Sequence, residues 1–256
     1  MCLAFFAIGQ STHYPFIALA NRDEFYARPT RPLHRWATRP VIRAGRDEQA
    51  GGTWLGCTAD RFALVTNVRR HPQPEGTRSR GELVVDALLT PDLGTWFAWL
   101  ESQKNAWTGF NLIVWDKERL HYLSNRTPAF HQLRKAGIYG LSNAELDSPW
   151  FKVESGKQAL SALLAREDDP APEAFQQIML DTRKAPAHAL PETGLPRDME
   201  NALSSRFIRL PHYGTRSTTL VRMDVQGVFH MDEWTYAPSG DLPASRASRR
   251  ALSSRL

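Results

Sequence analysis

The chain opens Met1-Cys2-Leu3-Ala4-Phe5-Phe6-Ala7-Ile8 and, after a polar break, runs Phe16-Ile17-Ala18-Leu19-Ala20-Asn21-Arg22-Asp23-Glu24. Two short apolar runs punctuated by Gly9-Gln10-Ser11-Thr12 and Pro15 predict an antiparallel hairpin. Side chains alternate along a strand, so Asn21 and Asp23 share one face while Arg22 and Glu24 share the other. The adjacent acids are therefore not a carboxylate pair, and Asp23 is the one placed to meet Cys2. With Met1 removed, Cys2 would carry a thiol and a free α-amine on neighbouring atoms. That amine, with an unperturbed pKa of about 7.7–8.0, is partly neutral near pH 7 and can accept the thiol proton. The thiolate is the reactive species, and Asp23 would hold the amine and stabilise its protonated form.

Further segments extend this pattern in order along the chain: Gly51-Gly52-Thr53-Trp54-Leu55-Gly56, Thr66-Asn67-Val68-Arg69, Gly140-Leu141-Ser142-Asn143 and Thr215-Arg216-Ser217-Thr218-Thr219. Together with Met1-Cys2 and Asn21-Arg22-Asp23-Glu24 they resemble the NRDE family, also called the transport-and-Golgi-organisation family, over residues 1 to about 236. The resemblance implies an N-terminal nucleophile hydrolase of the bile-salt hydrolase and penicillin acylase kind. Such proteins have an α+β fold, a four-layer αββα sandwich of two antiparallel sheets flanked by helices, and they cut non-peptide amide bonds. The same resemblance implies links to haem trafficking and to lipid or acyl-CoA metabolism. Fold alone does not choose between these.

The resemblance also assigns residues. Asn143 resembles the side-chain oxyanion donor of these hydrolases, and Arg216 matches the late arginine beside their nucleophile, where it would lower the thiol pKa and orient Asp23. One position departs: bile-salt hydrolases carry an arginine three residues before the aspartate, where this chain has Ala20. The shared part is Asn-x-Asp, and Arg22 does not substitute for the missing arginine.

A chain of 256 residues with 42% hydrophobic residues can bury a full core. One domain is expected over residues 1–238, followed by a flexible basic tail over 239–256. The formal charge of +5 arises from 26 arginines and 6 lysines against 27 acids. No basic, aromatic-interleaved motif and no phosphate-binding glycine loop accompanies it, so nucleic acid is not expected as a partner. Cys2 and Cys57 make neither a disulfide framework nor a metal-binding spacing. The run Leu3 to Ile8 is too short to span a membrane and lacks signal-peptide flanks. A cytoplasmic protein without a transmembrane segment is the expectation.

Between the motifs, Arg28 to Arg43 reads as an irregular loop with extended pieces, either a cationic rim or a solvated surface. Trp54 either lines a pocket or packs in the core. Arg61 to Val68 reads as a strand ending at Asn67, which either donates toward an oxyanion or caps a turn. Ser79 caps a helix through Leu89, and Leu93 to Gln103 is a second. Phe110 to Trp115 and Leu120 to Leu123 form a hairpin, with a third strand over Phe130 to Tyr139. Helices follow over Trp150 to Ala165 and Pro172 to Leu180, then a long proline-rich loop over 183–201 suited to a lid. Strands return at Ser205 to Leu210, Thr218 to Asp224 and Val228 to Trp234.

Two functions compete. In the first, Cys2 attacks an amide or thioester, with Asp23, Asn67, Asn143 and Arg216 as catalytic residues, Asn21, Arg22, Glu24 and Trp54 facing the substrate, and no cofactor required. In the second, the same pocket carries haem or acyl-CoA without catalysis, with Cys2 as the candidate haem ligand. A third, an adaptor acting through its surface or tail, makes no use of these residues.

Overall fold

The computed structural model describes residues 2–70 and 76–237, together with the backbone of 245–250. In chain order the strands are β1 (Cys2–Ile8), β2 (Phe16–Phe25), β3 (Thr30–Arg35), β4 (Arg43–Asp47), β5 (Leu55–Cys57) and β6 (Phe62–Asn67). Helices α1 (Arg80–Leu89) and α2 (Leu93–Ser102) follow, then β7 (Phe110–Trp115), β8 (Leu120–Ser124), β9 (His131–Arg134) and β10 (Gly137–Leu141). The chain continues with α3 (Phe151–Arg166), α4 (Pro172–Met179), α5 (Arg197–Ala202), β11 (Tyr213–Met223), β12 (Phe229–Thr235) and β13 (Ser245–Arg250).

These strands form two antiparallel sheets, one ordered β10-β1-β2-β11-β12-β13 and the other β3-β4-β5-β6-β7-β8-β9. The hairpin at the start of the chain is central to the first sheet, which is why β1 and β2 read as nearly continuous apolar runs: both of their faces are covered. Ala4, Phe6, Phe16 and Ala18 face the second sheet and pack with Phe62, Ile113 and Trp115. Phe16 stacks on Trp115 with ring centroids 4.8 Å apart. Leu3, Phe5, Ile17 and Leu19 face the other way, against Val153, Leu160, Phe175 and Met179 of α3 and α4. On the outer face of the second sheet, Leu83, Val84 and Leu88 of α1 and Phe97 and Leu100 of α2 cover Ala63, Val65 and Leu112. The result is the four-layer αββα arrangement, and its inter-sheet face is where Cys2 lies.

The helix starts follow their sequence signals. Ser79 Oγ accepts from the Gly81 N–H at 3.3 Å to cap α1, and Asp92 Oδ1 accepts from the Thr95 N–H at 2.6 Å to cap α2. On α3, Gly156 lets the helix descend onto β1, because a Cβ there would come within 2.0 Å of Phe5 Cζ.

Several segments differ from expectation. Phe130 to Tyr139 is not one strand: the chain leaves the second sheet after β9 and enters the first at β10, turning at Gly137 with φ 152°. Residues 205–210 form no strand beyond a single bridge between Arg209 and Gly214. The Phe207 N–H instead donates to the Asp181 carbonyl, and the Arg206 side chain pairs with the Asp181 carboxylate. Within the arginine- and proline-rich stretch, β3 and β4 supply the edge of the second sheet. The 183–201 segment is pinned rather than loose, since it carries the start of α5 with buried Glu200. Of the tail over 239–256, only 245–250 is described, and its backbone pairs with β12; the rest of that expectation, like the fate of Met1, lies outside the described residues.

Candidate functional site

A cleft of about 250 Å³ opens between the sheets at the end of β1, lined by Cys2, Arg22, Asp23, Trp54, Asn67 and Arg80 among others. Strand register builds it. Cys2 lies opposite Arg22 of β2, and Arg22 opposite Ser217 of β11, so these side chains form one row across the inter-sheet face. Arg22 is 4% exposed, stacks over Trp54 at 4.3 Å and donates to Thr30 Oγ1 at 3.1 Å. Its other terminal nitrogen faces Glu24 and Asp47 at 3.7 and 3.6 Å. Arg28 closes this network through Asp47 at 2.7 Å.

Asp23 lies on the opposite strand face at the mouth of the cleft. Its Oδ1 accepts from Thr215 Oγ1 at 2.7 Å, and its carbonyl accepts from the Tyr213 hydroxyl at 3.0 Å. Burial raises the Asp23 pKa, opposed by the charges of Lys152 and Arg22 and by the Thr215 hydrogen bond. Burial likewise raises the Cys2 thiol; the Asp23 charge adds to this, while Arg22 and the Asp23 N–H act against it. Lys152 of α3 is buried beneath the site with Nζ donating to the Leu203 carbonyl at 3.0 Å. Desolvation lowers its pKa to about 8, against the pull of Asp23 and other charges.

Asn67 ends β6 at the cleft, where Asn143 joins it. Asn143 is fully buried and donates through Nδ2 to Asn67 Oδ1 at 2.8 Å and to the Asn67 carbonyl at 3.2 Å. Ser142 Oγ donates to the Cys2 carbonyl at 3.3 Å, tying this junction to β1. Asn67 lines the cleft with its Oδ1 occupied as the acceptor from Asn143. The adjacent Arg69 pairs with Glu200 at 2.9 Å and lies over Trp150 at 4.8 Å.

Cys2, Asp23, Asn67, Asn143, Arg22, Glu24 and Trp54 are thus brought together, and two expected residues are not. Asn21 faces the α3 and α4 layer, 1% exposed, donating to the Met179 and Arg206 carbonyls at 3.0 and 2.9 Å. It is a cross-link between layers. Arg216 is turned aside by a register shift between Thr215 and Ser217, and its Nη1 donates to the carbonyls of Phe25, Tyr26 and Arg28. The neighbour that reaches Asp23 is Thr215. Sequence reasoning missed Thr215, although it begins the same quoted motif, and missed Lys152 and Arg80, which carry no motif of their own.

The family model for Transport and Golgi organisation 2 matches residues 1–238. The chain belongs to the Transport and Golgi organisation 2 family. It is 31% identical over 249 residues to the Transport and Golgi organization protein 2 homolog of Bos taurus, covering 89% of this chain and 90% of that one. The human homolog is 31% identical over 248 residues, with the same coverage. The Drosophila melanogaster Transport and Golgi organization protein 2 is 26% identical over 260 residues, with 92% of each chain covered. Among solved structures, a Caenorhabditis elegans N-acylethanolamine-hydrolyzing acid amidase ortholog aligns over 86% of this chain and 92% of its own, at 9% identity and TM-score 0.45. Among the described residues of this family member, no helix is long and apolar enough to cross a membrane, and no group of three or more His, Cys, Asp or Glu is placed to hold a metal ion.

Proposed function

We propose that this protein is an N-terminal cysteine hydrolase acting on a non-peptide amide or thioester in the cytoplasm. The observation that carries the reading is the convergence of the Cys2 thiol, the Asp23 carboxylate and the Asn143-held Asn67 amide on one inter-sheet cleft. Once Met1 is removed, the Cys2 α-amine takes the thiol proton and the thiolate attacks the substrate carbonyl carbon. The carbonyl electrons move onto oxygen, where Asn67 Nδ2 donates to the oxyanion. Collapse of the tetrahedral intermediate expels the amine or thiol, which receives the proton from the α-ammonium; water then releases the acyl group from Cys2 by the same route. Asp23, held by Thr215, stabilises the ammonium in both halves. The test is intact mass before and after a thiol-reactive acyl mimic, on wild type and Cys2→Ala. Loss of the methionine mass with labelling confined to Cys2 supports the reading; retained Met1 and an unreactive Cys2 overturn it.

A second reading, a carrier of haem or acyl-CoA, is favoured by one specific feature. Arg22, Arg28, Arg78 and Arg80 all line the cleft, and burial favours the neutral form of the Cys2 thiol. Such walls suit a ligand with several anionic groups. A Soret shift on adding haem that persists in Cys2→Ala would support carriage without thiol chemistry.

A further inference from the structure

A second, smaller cavity of about 80 Å³ shares the Trp54 wall with the cleft and is lined also by Thr30, Arg216, Ser217, Glu233 and Thr235. It continues the row that begins at Cys2: Cys2 lies opposite Arg22, Arg22 opposite Ser217, and Ser217 opposite Thr235. With strands about 4.8 Å apart, Ser217 stands roughly 10 Å along the row from Cys2, with Arg22 between them.

Polar groups in this chamber lack the partners that burial normally demands. Ser217 is 4% exposed and its Oγ has no hydrogen-bond partner among the described residues. Arg216 Nε is buried and equally unpaired, although Nη1 of the same guanidinium is fixed by three carbonyls. No carboxylate lies within ion-pair distance of Arg216 among the described residues; Glu24 attracts its charge from farther off, and Arg22 opposes it. Glu233 is 2% exposed, and both its oxygens are acceptors, from the Leu33 N–H at 2.6 Å and from Thr219 Oγ1 at 3.3 Å. When protonated, it can donate from Oε2 either to Thr219 Oγ1 or into the chamber.

We propose that this chamber binds a compact carboxylate, one oxygen taking hydrogen bonds from Arg216 Nε and Ser217 Oγ and the other lying against the Glu233 carboxyl group. The size admits a group of about acetate dimensions. The site uses none of Cys2, Asp23 and Asn67, and Trp54 is the wall it shares with the cleft.

The experiment is calorimetric titration of the full chain with acetate at pH 6.5 and constant ionic strength, in two buffers of different ionisation enthalpy. Saturable binding with proton uptake is expected, retained in Cys2→Ala. Ser217→Ala should weaken it about 10-fold or more, the usual effect of removing a hydrogen bond to a charged group, and Glu233→Gln should abolish the proton uptake. Absence of saturable binding, unchanged affinity in Ser217→Ala, or loss of binding in Cys2→Ala would each overturn the assignment. Ser217→Ala removes only a hydroxyl, and a melting curve within a few degrees of wild type verifies that it is folded.

Discussion

Asn143 donates to both the side-chain oxygen and the carbonyl of Asn67, at 2.8 and 3.2 Å, so one buried amide fixes the direction of another at the cleft wall. The pair divides two roles that the sequence reading gave to both residues alike. In the proposed reaction Asn67 is the oxyanion donor, and Asn143 positions it.

On the proposed hydrolase reading, Asn67→Ala should lower kcat on an activated thioester by about 10²–10³-fold, the usual consequence of losing one preorganised oxyanion donor. Its melting temperature should stay near wild type, because Asn67 is only partly buried. Asn143→Ala should lose activity and stability together, since it empties a fully buried site and releases Ser142 Oγ from Asn143 Oδ1, 3.2 Å away. Equal stability losses in the two variants would contradict the division.

The ion pair of Arg69 with Glu200 is buried on both sides, with side-chain exposures of 3% and 1%. Glu200 also accepts from the Thr193 N–H at 3.1 Å, so it anchors the 183–201 segment beside the Cys2 layer. Breaking a buried pair by removing one partner costs about 3–5 kcal/mol, because the remaining charge is stranded. Glu200→Ala should lose that much in urea denaturation; a loss below about 1 kcal/mol would mean water reaches Arg69 after all.

How far the sequence carries the structure can be judged from such pairs. The opening hairpin and the two helices after Ser79 were legible, because apolar runs, turn residues and caps act locally, whereas the layered sheets were implied by the family resemblance. The split of Phe130 to Tyr139 between two sheets was not, since nothing in strand propensity says which sheet a strand joins. That Cys2, Asp23 and the two asparagines gather at one cleft was legible from motifs. Arg216 was misplaced because a single register shift in β11 redirects one side chain and leaves its neighbours in place. Lys152 was invisible: its proximity to Asp23 depends on α3 packing across β1, a contact with no sequence spacing.

That packing depends on Gly156. A Cβ at this position would overlap the Phe5 ring, at 2.0 Å from Cζ. Gly156→Ala gains about 1 kcal/mol in helix propensity but overpacks the core at a typical cost of 1–3 kcal/mol. The balance should be a net destabilisation by thermal melt. Phe5→Leu in the same chain should relieve it, giving a favourable coupling in the double-mutant cycle; strictly additive effects would rule out the clash as the cause.

Two buried ionisable groups give stability opposite pH slopes. Glu233 has its pKa raised by burial from 4.5 to about 7, so between those values the folded chain holds a proton that the unfolded chain has released. Its contribution is fully present below pH 4.5 and is lost as pH rises through about 7. Lys152 is lowered by burial from 10.5 to about 8, so its contribution is present above 10.5 and is lost as pH falls through about 8. Each shift corresponds to an effect on the order of 3 kcal/mol. Together they place a minimum in these two contributions between pH 7 and 8. Urea midpoints of Glu233→Gln should no longer show the fall between pH 4.5 and 7, and those of Lys152→Met should no longer show the rise between pH 8 and 10.5. If either variant keeps the wild-type slope in its own window, that group is not the one that titrates there.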